Sequence, residues 1–120
     1  MVNGKHKGKT LFLDFYMERC PYCYYIVNDF NRLISELTEE YGEDKVAFLK
    51  INGPNIKPLA QRYNVRSYPK IIGVAPNKEG TSFNTFNGDR DFKTMRKWMV
   101  GLLGPAPGEE PQLAQTSANT

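Results

Sequence analysis

The only two cysteines of the chain stand three residues apart, in Arg19-Cys20-Pro21-Tyr22-Cys23. A Cys-x-x-Cys pair that follows a strand and opens a helix reads as a thiol redox site. Helical periodicity starts directly after the motif, and Pro21 suits the first helical position, where its missing N–H costs nothing. Cys20 is then the N-cap, its sulfur facing unpaired backbone N–H groups and the positive end of the helix dipole. That dipole contributes ~0.3–1 kcal/mol, rising to ~2 when partly buried. Because ~1.4 kcal/mol corresponds to one pKa unit, the dipole lowers a thiol pKa by about one unit at most. A hydrogen bond from the second thiol adds to this. A shift from ~8.5 to ~7 raises the thiolate share at neutral pH from about 3% to about half. Cys20 is therefore the expected nucleophile. Cys23, one turn into the helix and more buried, is expected to keep a high pKa and act second.

Other uses of two cysteines fit less well. A closed zinc site needs four ligands, and the chain offers two Cys and one His, His6, in a polar leader. A structural disulfide across so short a loop contributes only ~2 kcal/mol in the chain-entropy model. Two inert core thiols do not belong at a helix N-terminus. No metal or organic cofactor is expected.

The elements that must position the pair follow from apolar spacing. Leu11-Phe12-Leu13-Asp14-Phe15 is a short, nearly continuous apolar run, as expected of a strand covered on both faces. Ile26, Val27, Phe30, Leu33, Ile34, Leu37 and Tyr41 recur at three- and four-residue spacing and predict one long amphipathic helix. Val46 to Ile51 is a second strand. Ile56, Leu59, Ala60 and Tyr63 predict a short helix capped by Asn55, with Pro58 in its first turn. Ile71 to Ala75 and Ser82 to Phe86 flank Asn77-Lys78-Glu79-Gly80 as an antiparallel hairpin. A last helix carries Phe92, Met95, Trp98, Met99, Leu102 and Leu103, with Asp89 or Asp91 near its start and Gly104-Pro105 after its end. The first two strands, with a helix between them, should be parallel and joined right-handed. The expected fold class is α/β, a central mixed sheet of four or five strands with helices on both faces.

The 120 residues make one domain, and 40% hydrophobic with 12% aromatic residues can build a core. No apolar run approaches the ~20 residues of a membrane span, and the first ten residues lack the apolar stretch of a secretory signal. Of the net charge of +3, Lys5, Lys7 and Lys9 lie in the leader and Glu109 and Glu110 in the tail, which leaves +2 between Thr10 and Leu103. That is a mixed, solvated surface and argues against nucleic-acid binding. From Gly104 onward the chain is rich in Pro, Gly and small polar residues and has no aromatic. The expected organisation is a domain over 1–103, with residues 1–9 as a polar leader, followed by a flexible tail over 104–120.

The sequence resembles the thioredoxin superfamily over roughly Leu11 to Leu103. Asp14-Phe15-Tyr16-Met17-Glu18-Arg19-Cys20 looks like the strand leading into the family's redox motif, with an acid six residues before the first Cys. Lys50-Ile51-Asn52 is similar to the strand that carries a Lys near that acid. Tyr63-Asn64-Val65-Arg66-Ser67-Tyr68-Pro69 resembles the helix-to-strand connection in which the proline is cis. Phe86-Asn87-Gly88-Asp89-Arg90 resembles the approach to the last helix, especially in protein disulfide isomerase domains. The resemblance implies that Asp14 lies beneath the redox site and takes the proton from Cys23, with Lys50 tuning it by charge. An acid within an apolar strand is costly unless paired or functional, and burial should raise its pKa. It further implies that Pro69 sits against both Cys and that the Tyr68 backbone pairs with a substrate strand; Tyr22, Tyr68 and Gly88 are expected to border that groove, with surface aromatics that bind no ligand as the alternative for the two tyrosines.

Two departures matter. Arg19 stands where thioredoxins have Trp before the first Cys, a cation that would favour the thiolate. The Cys-Pro-Tyr-Cys core is the one typical of glutaredoxins, yet Ser67-Tyr68-Pro69-Lys70 replaces their Thr-Val-Pro, and their Gly-Gly element is not seen. Only about ten residues precede Leu11, too few for the strand and helix that open a full thioredoxin. The chain is accordingly expected to be a minimal version, a monomer, or a domain of a larger protein. The expected activity is thiol–disulfide exchange with protein dithiols and disulfides, alongside a reductase or oxidase partner that includes glutathione among the candidates. A glutathione-dependent glutaredoxin-like enzyme and a non-catalytic binding or assembly subunit are the alternatives. The isomerase-like second half favours the endoplasmic reticulum lumen, with cytoplasm or another organelle as the alternatives.

Overall fold

The computed structural model describes residues 8–76 and 83–106. The leader up to residue 7, the tail from 107 and the hairpin turn at 77–80 lie outside the described residues. Strand β1 (Thr10–Tyr16) runs into the Cys-x-x-Cys segment, which opens α1 (Pro21–Tyr25) and α2 (Val27–Tyr41). Strand β2 (Val46–Asn52) leads through a 3-10 turn (Gly53–Asn55) to α3 (Lys57–Arg62). Strands β3 (Lys70–Val74) and β4 (Asn84–Thr85) and helix α4 (Phe92–Leu103) follow among the described residues.

The sheet has the order β2-β1-β3-β4. β1 pairs parallel with β2 and antiparallel with β3, and β3 pairs antiparallel with β4. The expected mixed four-stranded sheet is therefore present, with no fifth strand among the described residues. Side chains alternate across β1, so its two sets of apolar residues feed two cores. Phe12 joins Ile26, Phe30, Leu33 and Leu37 of the α1–α2 segment and Met95 and Met99 of α4. Leu11, Leu13 and Phe15 join Ala60 and Tyr63 around α3 on the other face. A fully buried Phe or Leu contributes about 1.5–3 kcal/mol over its exposed state, which explains why the central strand tolerates hardly any polar residue. Thr10 at the strand's start and Asp14 are its buried polar residues, and Asp14 points to the α2 face, as Phe12 does.

Three local readings need correction. The expected single helix is broken at Ile26, whose backbone (φ −91°, ψ −2°) ends α1 and starts α2. Apolar spacing runs straight through the break because Ile26 stays buried in the core while the hydrogen-bond ladder shifts around it. Asn55 does not cap α3. It closes the 3-10 turn, in which the Ile56 N–H donates to the Gly53 carbonyl at 3.0 Å, and Ile56 occupies the cap position. Of the expected strand Ser82–Phe86, Ser82 lies outside the described residues, and among the others only Asn84–Thr85 are strand, pairing with Gly73 and Ile72. Of the two candidate caps for the last helix, Asp91 is the one used, accepting from the Thr94 N–H at 2.8 Å.

Helix α4 lies close on the sheet because β3 offers a glycine there. A Cβ on Gly73 would come within 2.6 Å of Leu102 Cδ1 and 3.2 Å of Trp98. Tyr41 Oη donates to the Gly104 carbonyl at 2.6 Å, which ties the end of α2 to the end of α4. Arg96 bridges the same two helices, donating to Glu40 at 2.9 Å. Partial exposure limits such a pair to about 0–1 kcal/mol.

Candidate redox site

Cys20 and Cys23 are joined as a disulfide, with Cα atoms 5.2 Å apart. Cys20 has the extended backbone of an N-cap (φ −108°, ψ 106°), and its Sγ accepts from the Cys23 backbone N–H at 3.2 Å. Pro21 takes the first helical turn, as its lost donor requires. The break at Ile26 leaves only five helical residues directly beneath the sulfur. Because dipolar effects are confined to the first turn, this nearby N–H, rather than a long macrodipole, is the group placed to interact with a charge on the Cys20 sulfur. The expectation that Cys23 is the more buried of the two is not met: Cys20 is 3% exposed and Cys23 6%. The connection before β3 covers Cys20, a contact between segments distant in sequence.

That connection carries a cis peptide between Tyr68 and Pro69. The Tyr68 carbonyl oxygen lies 3.8 Å from Cys20 Sγ. Tyr68 meets the sulfur with its backbone, while its ring lies over Gly53 and packs beside the second core. A Cβ on Gly53 would overlap that ring. Arg90 holds the same connection from the other side, its Nη2 donating to the Pro69 carbonyl at 3.4 Å.

Asp14 is 6% exposed and lines a pocket of about 190 Å³ together with Tyr16, Met17, Glu18, Cys23, Tyr24, Val27 and Lys50. Its Oδ1 is buried without a hydrogen-bond partner. Loss of solvent pushes its pKa up to about 6, and the nearby positive charge of Lys50 opposes this only in part. Lys50 sits opposite Asp14 in the parallel β1–β2 register. Its ammonium nonetheless donates to Asn31 Oδ1 on α2.

Tyr22 is 66% exposed and shares an open depression with Tyr25, Gly88, Asp89, Arg90 and Asp91. Tyr22 and Gly88 thus share one depression, and Asp14 and Lys50 share a different pocket with Cys23. Arg19 adopts a left-handed backbone (φ 60°), and its N–H donates to Tyr24 Oη at 3.3 Å. It lines a separate depression with Asn52, Pro54 and Asn55. Asn31, Gly53, Tyr24 and Arg90 were not singled out by sequence reasoning. Gly53-Pro54 is legible as a turn, but the ring that needs the missing Cβ comes from 15 residues further on. Among the described residues no three His, Cys, Asp or Glu side chains gather as a metal-binding group, and no helix is long and apolar enough to cross a membrane.

A paired Cys-x-x-Cys at a helix N-terminus, faced by a cis-proline connection on a β2-β1-β3-β4 sheet, defines a thioredoxin-fold domain. The family model described as Thioredoxin matches residues 3–100, and the chain belongs to that family. It is 29% identical over 97 residues to a mitochondrial thioredoxin domain-containing protein of Schizosaccharomyces pombe, covering 79% of this chain and 26% of that protein. It is 25% identical over 97 residues to protein disulfide-isomerase A2 of Homo sapiens, covering 81% and 18%. The chain therefore spans about a quarter or less of these two relatives. The crystal structure of the germline-specific thioredoxin Deadhead of Drosophila melanogaster superposes with a TM-score of 0.66 at 26% identity, covering 82% of this chain and 85% of that one. These relatives and the cysteine pair at bonding distance support membership among the thiol–disulfide oxidoreductases.

Proposed function

We propose that this domain exchanges disulfides with protein substrates through Cys20 and Cys23. The observation that carries the reading is the Cys20 sulfur, capped by the Cys23 N–H and facing the Tyr68 carbonyl. In the reducing direction the Cys20 thiolate attacks a substrate disulfide. One substrate sulfur leaves as thiolate, and a Cys20–substrate disulfide forms. Cys23 gives its proton to Asp14 across the pocket they share, and its thiolate attacks Cys20 Sγ. The mixed disulfide breaks, the second substrate sulfur leaves and takes up a proton, and the two electrons given up as the Cys20–Cys23 bond forms end on the reduced substrate dithiol. The reverse sequence installs a disulfide.

In this reading the Tyr68 backbone and Pro69 align the substrate strand, Tyr22 and Gly88 border its path, Lys50 tunes Asp14, and Arg19 biases Cys20 toward thiolate. The endoplasmic reticulum lumen is the proposed compartment, on the isomerase-like segment Phe86–Arg90; the relative named mitochondrial makes another organelle the competing outcome. The test is to equilibrate the protein with glutathione buffers of graded potential and follow the cysteine pair. A reversible two-electron transition together with reduction of a protein disulfide supports exchange. Absence of the transition leaves a binding subunit, and turnover of a glutathione mixed disulfide by Cys23→Ser reassigns the domain to glutaredoxin-like chemistry. Clients trapped by Cys23→Ala identify substrate and compartment together.

A further inference from the structure

Asp14 and Lys50 are register partners on adjacent parallel strands, and partners in such a pair project their side chains to the same face. A flexible ammonium beside a buried carboxyl has an obvious ionic partner, yet no ion pair joins them. The Lys50 ammonium donates instead to Asn31 Oδ1, from the second turn of α2, and Asp14 Oδ1 is left buried and unbonded. We propose that Asn31 is a positioning residue, holding the Lys50 ammonium away from the Asp14 carboxyl so that Asp14 stays unpaired and free to accept the Cys23 proton.

The inference rests on the exchange mechanism above for its purpose, but not for its geometry. An ammonium seated directly on Asp14 would favour the ionised carboxylate and weaken it as a base. An amide oxygen is suited to prevent this, because it accepts from the ammonium without adding a second negative charge to the pocket. The other ionisable groups lining the pocket are Glu18 from the loop, Tyr16 from β1, and Cys23 and Tyr24 from α1. None of them forms an ion pair with Lys50. Arg32, the neighbour of Asn31, is turned elsewhere, donating to Glu36 at 2.9 Å and lying 3.8 Å from the Phe92 ring centre. The present balance, in which burial outweighs Lys50 at Asp14, accords with an ammonium held at a distance.

The test is a set of variants, Asn31→Ala, Lys50→Met, their combination, and Asn31→Asp, in the full chain. The Asp14 carboxyl titration is read by carbon-13 NMR and the pH dependence of protein-disulfide reduction is read in parallel. Asn31 is exposed on α2, so its replacement by alanine should leave the fold intact. Asn31→Ala is expected to move the Asp14 midpoint down by about half a pH unit or more as Lys50 swings in. The same change should do nothing once Lys50 is methionine, and Asn31→Asp, which keeps the grip, should preserve a high midpoint. An unmoved midpoint in Asn31→Ala, or an equal shift with and without Lys50, overturns the proposal. The titration needs no substrate: the expected shifts in a protein that reduces no disulfide would refute the exchange reading while leaving Asn31's grip on Lys50 established.

Discussion

The backbone carbonyl of Tyr68 stands 3.8 Å from Cys20 Sγ, although 48 residues separate the two in sequence. In the disulfide the sulfur carries no hydrogen, so this is a contact and not a hydrogen bond. On reduction a Cys20 thiol can donate to that oxygen, whereas a thiolate cannot. The Cys23 N–H, at 3.2 Å, favours the opposite state. Two backbone groups of opposite polarity thus lie against one sulfur.

The Cys23 N–H is expected to prevail, since hydrogen bonds to charged acceptors are roughly twice as strong as neutral ones. In the reduced protein Cys20 should alkylate at pH 7 faster than Cys23 and faster than a free cysteine in water. Iodoacetamide kinetics resolved by mass spectrometry check this. Cys20→Ser should abolish disulfide reduction, whereas Cys23→Ser should accumulate the mixed disulfide, visible on a non-reducing gel. A Cys20 no faster than free cysteine would remove the basis for catalysis.

Asp14→Asn should slow resolution of the mixed disulfide by on the order of 10²-fold near neutral pH, the scale of a lost general base. In the parent protein that step should rise as pH passes through about 6, where Asp14 ionises. Stopped-flow measurement across pH 4 to pH 8 checks both; a profile unchanged by the substitution would take Asp14 out of the mechanism.

The same carboxyl makes a stability prediction of definite sign. Its pKa is raised from 3.8 to about 6 on folding, so between these values the native state holds a proton that the unfolded chain has lost. Its contribution is therefore fully present below pH 3.8 and lost as pH rises through about 6. The shift corresponds to about 3 kcal/mol. Asp14→Asn, which mimics the neutral acid, should stabilise the oxidised protein above pH 7 by up to that amount and leave it nearly unchanged below pH 4. Urea titrations at the two pH values measure the difference.

Gly53→Ala should disturb the site from beneath. The added Cβ overlaps the Tyr68 ring, and moving the ring moves the backbone beside Pro69. Overpacking of this kind costs about 1–3 kcal/mol. Pairing Gly53→Ala with Tyr68→Ala should restore part of the stability in urea, while protein-disulfide reduction remains impaired because the displaced carbonyl faces Cys20. Full activity in Gly53→Ala alone would show that the connection tolerates the shift.

Gly73→Ala is the contrasting case. Its Cβ would press on Leu102 and Trp98 of α4, which line neither the pocket beside Cys23 nor the connection at Cys20. A similar loss of about 1–3 kcal/mol is expected, with the Cys20 alkylation rate of the folded protein unchanged. A thermal melt and the alkylation assay together separate loss of fold from loss of chemistry.

Local pattern carried much of this protein. The near-continuous apolar run around Asp14, the helical spacing from Ile26 to Tyr41, Pro21 one residue after Cys20, and Gly104-Pro105 at the chain's last helix each state an element in a few adjacent residues. Backbone geometry ties those residue types to their positions, so element order and the N-cap role of Cys20 were legible without coordinates. Local pattern failed where a boundary depended on hydrogen bonding rather than residue type, as at Ile26, whose apolar side chain fits an unbroken helix equally well.

Everything that required two distant segments to meet was decided by tertiary structure. No spacing rule brings Tyr68 to Cys20, the Tyr68 ring onto Gly53, Arg90 to the Pro69 carbonyl, or Asn31 to Lys50. Asp14 shows the division within one residue. An acid in an apolar strand announces its cost in sequence, but the size of that cost depends on how far neighbouring segments exclude water and how near they hold a cation. Those are distances set by packing, and only the folded chain has them.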